Sequence, residues 1–130
     1  MMRLTYALAI LLLFAACSGG QQGWAPPAQQ WQNMSIRIET RPAPLVRGMN
    51  EFLIIADRQQ SGFSSDLMVD VRTDHSAWKQ AMPDGALGVF RRALPIKDVL
   101  HDRLYVRLLR KGETREMVFA LSAPEGEKIP

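Results

Sequence analysis

Apolar and polar residues alternate with a period of two along most of this chain. Met34, Ile36 and Ile38 interleave with Ser35, Arg37 and Glu39. Leu67, Val69 and Val71 interleave with Met68, Asp70 and Arg72, and Met117, Phe119 and Leu121 share one face further on. Successive side chains of a strand point to opposite faces, so this pattern marks strands with one face in a core. Gly85–Leu94 and Arg103–Arg110 read as two more strands. Met49–Asp57 is different. Its centre, Phe52-Leu53-Ile54-Ile55, is apolar without interruption, which predicts a central strand covered on both faces.

Between these runs lie residues that break a ladder. Pro42-Ala43-Pro44 breaks the ladder, because neither proline can donate a backbone hydrogen bond. Arg58–Ser65 is polar and contains glycine, Pro83-Asp84-Gly85 is a turn with preset φ, and Lys111-Gly112-Glu113 predicts a hairpin. Six or seven short strands at regular spacing predict an all-β protein, a small immunoglobulin-like β-sandwich. Its core would take Ile36, Ile38, Phe52, Ile54, Val69, Val71, Val89, Leu104, Val106, Leu108 and Phe119, with Trp78 plugging one end.

The first residues follow another rule. Arg3 precedes Tyr6–Phe14, an uncharged apolar stretch of the length found in a signal-peptide core and too short to span a bilayer. Small residues follow, then the cysteine, in Phe14-Ala15-Ala16-Cys17. This resembles the bacterial lipobox, with Phe14 where leucine is usual. The resemblance implies a signal peptide over 1–16 that is cleaved, and lipidation of Cys17, which becomes the N-terminus with diacylglycerol on its thiol and a further acyl chain on its amine. Two or more chains give stable anchoring where one does not. Ser18 after the cysteine favours the outer over the inner membrane, by analogy with enterobacterial sorting. Residues 17–32 then form the lipidated end and an uncharged tether rich in Gly, Gln, Ala and Pro. Within it Trp31 is expected to pack on the first strand. The sandwich occupies 33–124, and 125–130 form a polar, disordered tail.

Charge adds little. Sixteen Lys and Arg stand against thirteen Asp and Glu, and Arg3 leaves with the leader. That balance gives no footprint for nucleic acid. Cys17 is the only cysteine, so the domain has neither a disulfide nor a thiolate site. Two histidines, His75 and His101, are the only imidazole bases, and no nucleophile elbow occurs. Asp66, Asp70 and Asp74 read as exposed strand positions. No catalytic residue and no cofactor is therefore assigned. The one metal candidate is a copper(I) pair, His75 and Met82, which flank a single loop. Copper(I) favours thioether and imidazole, but no His-x-Met or Met-x-Met spacing is present. Arg91-Arg92 would put Arg92 on the face of Phe90, there to meet an acidic partner, or leave a charged, solvated strand edge.

The stretch Arg41-Pro42-Ala43-Pro44-Leu45-Val46-Arg47-Gly48-Met49-Asn50-Glu51-Phe52, together with Gly85–Ala93, resembles the YtkA-like and FixH-like group of small export-signal-bearing domains. That resemblance implies an immunoglobulin-like fold at the cell envelope, and it brings metal handling and respiratory-complex assembly into view as activities of the group. No metal motif of the group is present to carry over. The sequence thus leads to the expectation of a non-enzymatic binding or scaffolding module, anchored in the membrane through Cys17 and paired with another envelope protein. Periplasmic copper handling or respiratory-complex assembly is the alternative.

Overall fold

The computed structural model describes residues 24–58, 66–85 and 88–124. The expected signal peptide over 1–16, Cys17 and the expected tail over 125–130 lie outside them. The described residues form nine strands and no helix: β1 (Gln29–Trp31), β2 (Met34–Arg41), β3 (Gly48–Arg58), β4 (Met68–Thr73), β5 (Lys79–Gln80), β6 (Met82–Pro83), β7 (Val89–Ile96), β8 (Arg103–Arg110) and β9 (Glu113–Ala120). Six are long and three are fragments of two or three residues. One sheet runs β1-β2-β3-β7-β6 and the other β5-β4-β8-β9, with every pair antiparallel. With β2, β3, β4, β6, β7, β8 and β9 taken as strands A to G, the sheets read A-B-E-D and C-F-G. That is the immunoglobulin-like sandwich.

Both long sides are closed by short segments. On one side β5 pairs with β4, the chain crosses at the buried Ala81, and β6 pairs with β7. Ala81 N–H donates to Val69 O at 2.8 Å as it crosses. Pro83 is tolerated because β6 is an edge. On the other side Gln29 Nε2 donates to Val118 O on the β9 edge at 2.8 Å. The last residues of the segment assigned to the tether therefore form β1, and Trp31 sits opposite Met34 against the core as expected.

Ten of the eleven expected core residues are buried between the sheets. Val89 is the exception. It is half-buried, and Phe90, Leu94 and Ile96 face the core from β7 instead. The cause is register: Phe90 stands opposite the inward Ile54, so its neighbour must point out. β3 is covered on both faces, as its unbroken apolar run predicts. Leu53 and Ile55 lie outside the core cluster yet are 3% and 7% exposed. In register they are flanked by Glu39 and Arg91, and by Arg37 and Val89. At the entry to β7, Gly88 has φ +81° and comes so close to Ala56 that a Cβ would sit 2.6 Å from its carbonyl oxygen.

Candidate functional site

The outer face of the four-stranded sheet carries the densest chemistry. Val69, Val71 and Thr73 point inward from β4, so Met68, Asp70 and Arg72 point out. On β8 the outward set is Arg103, Tyr105, Arg107 and Leu109, and on β9 it is Thr114, Glu116, Val118 and Ala120. The register places Arg72 beside Tyr105 and Tyr105 beside Val118. It also sets Met68 beside Leu109, and Arg107 between Asp70 and Glu116.

Trp78 belongs to this face. It does not plug an end of the sandwich, because β5 pairs with the outer edge of β4 and brings the preceding residue alongside Arg72. Its ring lies 3.9 Å from the Arg107 guanidinium carbon and 5.3 Å from that of Arg72. Arg72 sits 3.8 Å from the Tyr105 ring, and Arg103 5.5 Å from it. Guanidinium and aromatic rings thus alternate across the sheet, each contact worth about 0.5–1 kcal/mol at an exposed site. Arg107 is also paired with Glu116 at 2.9 Å. Arg72, by contrast, donates only to Thr73 O at 3.3 Å and has no carboxylate partner among the described residues.

Asp74 fixes one end of the ladder. It lies in the turn after β4 rather than on a strand, as sequence reasoning had it. Its carboxylate accepts from Arg103 N–H at 2.8 Å, from the Tyr105 hydroxyl at 2.9 Å and from the Arg103 guanidinium at 3.3 Å. Burial alone would raise its pKa, but these hydrogen bonds and the Arg103 charge together hold it below the usual carboxylate range. Beyond the ladder the face is apolar and open: Met68 is 48% exposed, Leu109 37% and Val118 46%.

The two metal candidates of the sequence are not brought together. His75 lies in the turn after β4 with Nε2 3.0 Å from Asp102 Oδ1. Met82 lies on β6, in the other sheet, where it lines a shallow groove of about 490 Å³ with Met49, Glu51, Lys79, Arg91, Arg92 and Ala93. Three cationic side chains there repel a metal ion. Among the described residues, no group of three His, Cys, Asp or Glu is close enough to share a metal. Arg92 is on the face of Phe90, and its guanidinium donates to Gln80 O at 3.5 Å instead of meeting an acid. We expect a copper(I) competition titration to give no stoichiometric high-affinity site. A tight site lost on His75→Ala or Met82→Ala would reverse that expectation.

Asp102 was missed by sequence reasoning. It is 5% exposed, and its Oδ2 accepts from Lys97 N–H at 2.8 Å and Asp98 N–H at 3.1 Å. Asn50 was missed as well. It is 1% exposed and holds Val46 through both its backbone N–H and its carbonyl. Asn50, near the start of β3, and Asp102, just before β8, are short polar side chains, and such residues bind nearby backbone in turns.

Comparison with known proteins adds no relative: no family model, no curated protein and no solved structure matches the chain.

Proposed function

We propose that this protein is a membrane-anchored lipoprotein of the bacterial envelope whose β-sandwich is a non-enzymatic module. It would bind another envelope protein through the outer face of the β5-β4-β8-β9 sheet. One observation carries the reading. That face combines an interlocked arginine–aromatic ladder with exposed Met68, Leu109 and Val118. Protein interfaces are enriched in aromatic residues, methionine and arginine, and ordered side chains lose little freedom when a partner docks. Arg72 brings a guanidinium with no acid of its own, and so a place for a partner's carboxylate. The likeness of Arg41–Phe52 to the YtkA-like and FixH-like group supports an envelope setting.

A photo-crosslinking residue placed at Met68 or at Val118 in cells making the full chain tests this. Both positions are expected to yield the same protein adduct, and Glu39, on the outer face of the other sheet, to yield none. No adduct at either position, or equal yield at Glu39, rejects the interface. Copper handling or respiratory-complex assembly in the periplasm is the second reading. The two exposed thioethers, Met49 and Met82, share one groove, but Lys79, Arg91 and Arg92 line it with them, and this reading stands second for that reason.

A further inference from the structure

We propose that the end of the sandwich formed by loops 42–47 and 97–102 docks on an anionic lipid surface. The proposal rests on lipidation of Cys17 as read above, and adds to it which end of the domain meets the membrane.

Strand polarity gives the direction from which the chain enters the sandwich. β1 runs antiparallel to β2, with Gln29 opposite Ile36 and Trp31 opposite Met34. The chain therefore enters β1 from the end where β2 leaves, at Arg41. The register puts the start of β3 and the end of β7 at that same end, and the Thr73 hydroxyl, donating to Pro95 O at 2.8 Å, ties to it the end of β4 and with that the start of β8 and the end of β9. From Cys17 to Gln29 the chain spans at most about 40 Å when fully extended. A tether of that reach, directed towards this end as it leaves β1, lets a lipid on Cys17 bring the end to the bilayer, and the surface chemistry there selects it over the β8–β9 turn.

The surface at this end suits such a neighbour. Leu100 and Val46 project from its two loops at 66% and 42% exposure. Arg47 and Lys97 are exposed beside them, and neither has a carboxylate partner among the described residues. The acids here are engaged: Asp74 by Arg103 and Tyr105, Asp98 by His101 at 2.8 Å, and Asp102, buried, by His75. Free cations with projecting apolar tips are what an anionic interface attracts. Both loops are preorganised, 42–47 by Asn50 and 97–102 by Asp102. Little ordering entropy is then lost on contact.

Cys17 is the only native cysteine, so a fluorophore can be placed at Val46→Cys, Leu100→Cys or, as the opposite end, Glu113→Cys. The full chain, expressed in a bacterium with its leader and extracted from membranes, is reconstituted in vesicles. These are phosphatidylcholine with or without phosphatidylglycerol, and carry a nitroxide on the lipid chain. Quenching is expected at positions 46 and 100 and not at 113, and only with phosphatidylglycerol present. Arg47→Ser and Lys97→Ser should each lower the ratio of docked to undocked domain about five-fold. If mass spectrometry finds lipid on Cys17 but the three positions quench alike, the docking is overturned and the anchor stands. Quenching at 46 and 100 that ignores phosphatidylglycerol also overturns it. An unmodified Cys17 overturns the anchor, and the docking with it.

Discussion

Val71→Asp is expected to leave no stably folded domain. Val71 is fully buried on the inner face of β4, opposite Val106, with Lys79 its partner on the other side. Losing the buried valine forfeits about 1.5–3 kcal/mol, and burying an unpaired carboxyl adds at least about 2 kcal/mol. Total stability for a domain of this size lies near the low end of about 5–15 kcal/mol, so the two losses together consume most or all of it. The next residue gives the control. Arg72 points outward, where substitutions usually cost within about 0.5 kcal/mol. Here it packs between Tyr105 and Trp78, so Arg72→Ser should cost about 1 kcal/mol through lost cation–π contact and stem packing. Urea unfolding followed by circular dichroism separates the two. Similar midpoints for both variants would mean that β4 does not sit between the sheets in this register.

What could be read from the sequence follows from how far each signal reaches along the chain. β2 and β4 alternate cleanly, and their inward residues were identified correctly because a period of two leaves one choice of face. Leu104, Val106 and Leu108 of β8 follow the same rule until Leu109 and the buried Arg110 break the pattern at its end. In β7 the pair Arg91-Arg92 interrupts the alternation. The face then depended on pairing with Ile54 across the sheet, which no local pattern contains. β1 and the β5–β6 crossing are too short for any period to register, yet they close both sides of the sandwich. The candidate face was legible in pieces only. Arg72 and Arg107 occupy outward positions of alternating strands, but their convergence on Trp78 depends on β5 pairing with β4, and Trp78 lies between the strands the pattern predicts, where it reads as a plug at one end. His75 drew attention as an imidazole near a methionine. Its true partner, Asp102, is 27 positions away and comes near only when β4 and β8 pair.

That partnership gives the second large effect. Asp102→Ala should destabilise the domain by about 3 kcal/mol. The carboxylate is buried and serves three groups at once: Lys97 N–H, Asp98 N–H and His75 Nε2. Hydrogen bonds to a charged group are worth about 1.5–3 kcal/mol, and donors left unsatisfied in a buried setting add a desolvation penalty. Alanine removes the acceptor for all three and frees the 97–102 loop. His75→Ala removes one partner only, from a side chain that is a third exposed, and leaves Asp102 with both backbone donors. It should cost about 1 kcal/mol. Chemical unfolding of the two variants orders the effects. Hydrogen exchange should place the loss in loop 97–102 for Asp102→Ala, with the amides of Lys97 and Asp98 losing protection first. A histidine variant as damaging as the aspartate variant would make the imidazole, and not the carboxylate, the hub of this end. It would also return His75 to consideration as a ligand.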